Sequence, residues 1–199
     1  MAASLIIASG SDIRQQLLRN AGVEFAVQPA RVDEEAIKQS LLAEGATPHD
    51  IADALAEFKA RRIAEKNPGA LVLGCDQILE LKGEMLSKPS SPDQARDQLK
   101  RMRGARHKLL SAAVLYEDGK PVWRHVGQVR LTMRPFSDSY LESYIERNWD
   151  SIQHAVGCYK LEEEGVRLFS QIEGDYFTVL GLPLLPFLNY LTLRGDLPA

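Results

Sequence analysis

The chain begins with a short apolar run rich in Ile, Ser4 to Ala8 (SLIIA), followed at once by the small and polar residues Ser9-Gly10-Ser11-Asp12. Apolar residues then recur at helical spacing from Ile13 to Ala21, so the pattern predicts a strand, a small-residue loop and a capped helix N-terminus. Phe25 to Pro29 reads as a short second strand, and Val32-Asp33-Glu34-Glu35 leads into polar helical sequence. Thr47-Pro48 opens another helix, carried through Ala52, Leu55, Phe58, Lys59 and Ile63 and ended by Asn67-Pro68-Gly69. Ala70 to Gly74 (ALVLG) is unbroken apolar sequence, as expected of a central strand buried on both faces. Cys75-Asp76-Gln77 follows, where that strand is expected to open into a loop.

Further along, Gly83 marks a turn after Ile78 to Leu81, and Pro92 opens a helix that runs to Met102. Lys108 to Tyr116, Val122 to Val126 and Val129 to Met133 read as strands, with Asp118-Gly119 as a hairpin turn. A helix from Ser137 or Asp138 to Arg147, a last strand over Gly165 to Ile172 and a terminal helix over Val179 to Leu193 complete the pattern. No internal repeat or low-complexity tract interrupts it. Alternating helical and extended segments predict one α/β domain over residues 1–199, with a mixed central sheet flanked by helices. The hairpin argues against a purely parallel sheet.

Composition narrows the chemistry. At 199 residues, 45% hydrophobic and 26% charged, the chain is long enough to bury a substantial core. Lys and Arg total 24 against 27 Asp and Glu, a net charge of −3. That balance offers no general attraction to nucleic acid or anionic membranes, so a polyanionic ligand must be held by local charge. Cys75 and Cys158 stand in no zinc-like spacing and suggest no disulfide scaffold. The N-terminus lacks the basic and long apolar regions of a signal peptide, and no apolar run reaches the roughly 20 residues of a membrane span. The expectation is a soluble, cytoplasmic protein without a membrane or nucleic-acid partner.

Several residues could carry chemistry. The hydroxyls of Ser9 and Ser11, the backbone N–H groups at a helix start and Arg14 can together hold phosphate oxygens; the same fragment also reads as a plain N-cap with an exposed Arg. Asp76 stands where catalytic and metal-binding carboxylates are common in α/β proteins, although an Asp there can also cap a turn. Glu34, beside Asp33, could help Asp76 bind a divalent cation or could belong to a solvated helix face. Lys59 and Lys88 could pair with a triphosphate or point to solvent. His107 lies in the basic patch RMRGARHK, which also reads as a nucleic-acid contact; the lack of interleaved aromatic residues argues against that. Glu162 to Glu164 form a hydrophilic loop by composition, while a single Glu in a pocket can accept from a guanine-type N–H edge.

Taken in order, IIASGSDIRQQLL, VDEEA, EFKA, LVLGCDQIL, SKP, RGARHKLLSA and IEGDYFTVLGLPL resemble the successive motifs of the Maf family of nucleotide pyrophosphatases, from about Leu5 to Arg194. The resemblance implies a bilobed α/β fold of the Maf and inosine triphosphatase type, its mixed sheet bent around a deep cleft. It also implies hydrolysis between the α- and β-phosphates to nucleoside monophosphate and diphosphate, with a divalent cation, Mg²⁺ or Mn²⁺. By position, Asp76 resembles the proton acceptor. Ser9, Arg14, Glu34, Lys59 and Lys88 match positions facing the triphosphate, metal or catalytic water, with Glu34 and Asp76 as the metal residues. Ser11 and His107 join Ser9 and Arg14 as expected substrate contacts.

Asp76-Gln77 and Glu162 resemble the branch acting on 7-methyl-GTP rather than the Asp-Thr branch acting on dTTP and UTP; Ile13, Gln77 and Glu162 are the expected specificity positions. The chain departs from the family pattern where Ser-Pro-Arg-Arg becomes Ser11-Asp12-Ile13-Arg14, which loses one Arg and adds an acid. It departs again where Ala-Gly-Gly-Tyr becomes Ala155-Val156-Gly157-Cys158-Tyr159. Two other functions stay open on the sequence: a house-cleaning hydrolase for inosine or xanthosine triphosphate, and a regulatory protein linked to cell division or septum formation. A homodimer is among the assemblies this reading allows.

Overall fold

A computed structural model describes residues 4–198. In chain order it contains β1 (Leu5–Ile7), α1 (Asp12–Asn20), β2 (Ala26–Val27), α2 (Glu34–Ala43), α3 (Pro48–Ala64), β3 (Leu71–Leu81), β4 (Glu84–Leu86) and α4 (Pro92–Met102). There follow β5 (Arg106–Glu117), β6 (Lys120–Met133), α5 (Asp138–Ile152), a 3-10 turn (Glu164–Leu168), β7 (Phe169–Glu173), α6 (Tyr176–Val179) and α7 (Leu184–Arg194). The fold is therefore mixed α/β, with strands ordered β2-β1-β3-β5-β6-β7 and β4 paired to β3 off that path.

Local sequence explains the helix starts. Thr47 and Asp50 form a reciprocal capping box at α3 with Pro48 in the first turn; Ser91 accepts from the Gln94 N–H ahead of Pro92 at α4, and Ser137 accepts from the Tyr140 N–H at α5. Each device satisfies backbone donors that have no partner inside the helix. Ser11 precedes α1 without a side-chain cap bond, and its own N–H donates to Ser9 Oγ at 3.3 Å.

Several elements differ from the sequence expectation. β3 does not open into a loop after Gly74 but continues through Asp76 to Leu81, with β5 as a neighbouring strand and Leu79 to Leu81 paired antiparallel to β4. Asp76 is thus a mid-strand residue. The two strands expected on either side of Gly127 are one 14-residue strand, β6. The strand expected from Gly165 begins only at Phe169, after the 3-10 turn, and the terminal helix is split into α6 and α7 around Gly181 and Pro183.

The chain divides into two compact units. The first takes the described part of Met1–Gln77, together with Ser111–Gly127 and the described part of Gly181–Ala199. Within it β1 runs parallel to both β2 and β3, and Leu17, Leu18, Ile51, Leu55, Leu71, Leu73 and Phe187 form much of the core. Each such side chain contributes about 1.5–3 kcal/mol relative to exposure. The second unit, Ile78–Leu110 and Gln128–Leu180, packs Leu79, Leu99, Met102, Leu109, Leu141 and Tyr144, with β7 antiparallel to β6. Among the described residues no helix is long and apolar enough to cross a membrane.

Candidate active site

In the first unit, α3 lies directly on one face of β3. A Cβ on Gly74 would stand 2.1 Å from the Ala56 carbonyl oxygen and 2.6 Å from the Ala60 nitrogen, so only glycine permits this approach. Side chains two apart share a face of a strand, and residues three and four apart share a face of a helix. The contact therefore brings Lys59, between Ala56 and Ala60, over Asp76, two residues beyond Gly74.

Lys59 Nζ lies 2.6 Å from Asp76 Oδ1 and 2.8 Å from Glu34 Oε1. Lys59 is 8% exposed and Asp76 6%, whereas half of the Glu34 side chain is accessible. Glu34 is the first residue of α2, and the Asp33 side chain accepts the Ala36 N–H at 3.0 Å, which fixes the helix start. Buried charges persist only when paired, and here two carboxylates share one ammonium. Burial pushes the Asp76 carboxyl above its ordinary range; Lys59 and Arg14 oppose that rise, and Glu34 adds to it.

Arg14 forms the other half of the cluster. Its Nε donates to the Gly181 carbonyl at 2.7 Å, and Nη1 donates to Ser9 Oγ at 3.2 Å and to the Cys75 carbonyl at 3.4 Å. Ser9 is buried in the loop between β1 and α1. The bond to Cys75 holds the guanidinium beside the residue that precedes Asp76. Ser11 and Ile13 are half-buried on the same loop and first helical turn. Gln77 Nε2 donates to Ser111 Oγ at 2.9 Å, so its amide is anchored on β5. The first unit thus gathers Ser9, Arg14, Glu34, Lys59 and Asp76 into one charged cluster.

Lys88, His107 and Glu162 belong to the second unit. Lys88 is exposed on the loop between β4 and α4, and Gln98 Nε2 donates at 3.0 Å to the carbonyl of the preceding Ser87. His107 is 1% exposed, pairs through Nε2 with the Tyr159 hydroxyl at 2.8 Å, and packs against Phe169. Burial lowers its pKa to about 4, so the ring is neutral at pH 7. Glu162 is exposed in a turn, with its carboxyl held above the usual range by partial loss of water. Its neighbours are engaged elsewhere: Glu163 by Ser151 and Lys160, and Glu164 by Arg147 and Asn148. The basic patch is likewise paired, with Arg103 on Asp138, Arg106 on Glu173 and Lys108 on Glu80.

Two contributors were not visible as candidates in the sequence: the backbone carbonyls of Cys75 and Gly181. Their only sequence signals are the LGCD and GLPL segments already quoted. Among the described residues no group of three or more His, Cys, Asp and Glu side chains gathers as a metal cage. Within the Arg14–Lys59 cluster, the Asp76 and Glu34 carboxylates both lie on Lys59 Nζ.

A curated relative from Ruegeria pomeroyi, named nucleoside triphosphate pyrophosphatase, is 67% identical over 195 residues, covering 98% of each chain. Another of the same name, from Caulobacter vibrioides, is 54% identical over 191 residues, 96% of each chain. A relative from Brucella abortus, named 7-methyl-GTP pyrophosphatase, is 48% identical over 191 residues, again 96% of each. The family model described as Maf-like protein matches residues 4–193, and the chain belongs to that family.

Proposed function

We propose that this chain is a nucleoside triphosphate pyrophosphatase that cleaves the bond between the α- and β-phosphates, releasing nucleoside monophosphate and diphosphate. The observation that carries the reading is Lys59 held between Asp76 and Glu34 in the same unit as the Arg14–Ser9 pair, in a chain 67% identical to a protein of that name.

The chemistry needs an activated water and cations that stabilise charge developing on the phosphate chain. Asp76 accepts the proton as the water oxygen bonds to the α-phosphorus and the bridging oxygen leaves with the diphosphate. A carboxylate pushed upward by burial is a stronger base near neutral pH than an ordinary aspartate. Lys59 holds Asp76 in one orientation and supplies positive charge at the reacting face. Arg14 and Ser9 bind phosphate oxygens.

The donor set fits a divalent cation carried in by the triphosphate. Hard carboxylate oxygens suit Mg²⁺ or Mn²⁺, and Mg²⁺ is commonly held by one or two carboxylates plus substrate phosphates rather than by an all-protein cage. Asp76 and Glu34 would hold it. When bound, the cation supplies Lewis-acid polarisation of the phosphoryl group.

For the base, we favour 7-methylguanine, supported by Gln77, Glu162 and the 48% identical relative from Brucella abortus. Two carboxylate oxygens of Glu162 can accept from the N1–H and N2–H₂ edge of guanine. Removal of modified nucleotides from the cytoplasmic pool is the role that fits such a preference.

The test is diphosphate release from GTP, 7-methyl-GTP, dTTP, UTP, ITP and XTP, with Mg²⁺ or Mn²⁺ and with chelator. The expected outcome is monophosphate plus diphosphate, fastest with 7-methyl-GTP and lost on chelation, with Asp76→Asn slower by about 10²–10⁴-fold. Release of orthophosphate and nucleoside diphosphate would overturn the reaction; fastest turnover of ITP or XTP would overturn the base.

A further inference from the structure

We infer that Gly181 is a positioning residue for Arg14, setting the guanidinium at the angle from which it meets the phosphate chain; this rests on the phosphate-binding role proposed for Arg14. The two residues are 167 positions apart and join through the 2.7 Å bond from Arg14 Nε to the Gly181 carbonyl. Nη1 is committed to Ser9 Oγ and the Cys75 carbonyl. Three of the five guanidinium N–H groups are therefore spent on protein acceptors, two of them backbone. The two on Nη2 have no partner among the described residues and form the edge left for phosphate oxygens.

Gly181 performs this role because it has no side chain. Its φ is +97°, a region that L side chains rarely adopt, and a Cβ there would lie 3.0 Å from Arg14 Nε and 3.1 Å from Nη2. The group that must yield to any larger residue is thus the guanidinium itself, and it would be displaced on its outward edge. Carbonyl anchors suit the task because they accept without adding negative charge beside the site.

The experiment is a double-mutant cycle on nucleoside triphosphate hydrolysis, with kcat and KM measured separately and thermal midpoints alongside. Gly181→Ala is expected to lower kcat/KM by about 10–100-fold, the scale of a misplaced charge-binding group. In an Arg14→Ala background the same change should cost less than about threefold, since its target is gone. Arg14→Lys keeps the charge but has no Nε to meet the carbonyl. It should fall within about threefold of Arg14→Ala, and it carries the test if Gly181→Ala fails to fold.

Full additivity of the two changes, an unimpaired Gly181→Ala, or Arg14→Lys that matches the parent while Arg14→Ala is impaired would overturn the inference. An Arg14→Ala enzyme with unchanged kinetics would instead remove Arg14 from the catalytic reading.

Discussion

Gly74 and Ala56 are in backbone contact: the space where a Cβ on Gly74 would lie is 2.1 Å from the Ala56 carbonyl oxygen. That contact sets the height of Lys59 above Asp76. Gly74→Ala must push α3 away from β3, since the obstacle is backbone and cannot rotate aside. Overpacking of this kind costs about 3 kcal/mol or more, and in a chain of this length lowers the melting temperature by roughly 6–12 °C. Thermal denaturation checks this, and a midpoint within 2 °C of the parent would show that the two elements separate without penalty.

Lys59→Met should be costly for a different reason. It leaves the Asp76 carboxyl buried with its nearest cation removed, and breaking a buried pair from one side costs about 3–5 kcal/mol. Adding Asp76→Asn should recover part of that loss, because the stranded charge is then gone. Urea titrations of the two variants measure the difference. Equal stability of the single and double variants would show that Asp76 is not ionised beside Lys59.

The buried His107 sets an acid limit on stability. Its folded pKa of about 4 lies below the ordinary 6.5, so below pH 6.5 the unfolded chain binds a proton that the folded chain refuses. The contribution of neutral His107 is full above pH 6.5 and is lost as pH falls from there toward 4, by about 3 kcal/mol across the window. His107→Gln should flatten that part of the stability curve while retaining a side chain able to meet Tyr159. Denaturation midpoints at half-unit pH steps from 7 to 4 measure it, and identical slopes in the two proteins would refute the assignment.

Local elements were legible in the sequence because their causes are local. Thr47-Pro48 and Pro92 open α3 and α4 where the pattern placed them, and Asp118-Gly119 turns the β5–β6 hairpin. The ordered motifs carried family membership, and they singled out Ser9, Arg14, Glu34, Lys59, Lys88 and Asp76 as candidates. The length of β3 was not legible, since a strand is extended by its partners, here β5 and, at Leu79 to Leu81, β4. Nor was the continuity of β6 through Gly127, where periodicity broke but the strand did not.

What the sequence by itself determined, then, is where helices start, which segments are apolar enough to be buried, and which charged residue types are available. Only the tertiary structure decided that Lys59 bridges Asp76 and Glu34 and that Arg14 hangs from the carbonyls of Cys75 and Gly181. The physical reason is that every residue carries a carbonyl, so the identity of an acceptor says nothing until the chain has brought one of them within 3 Å of a guanidinium.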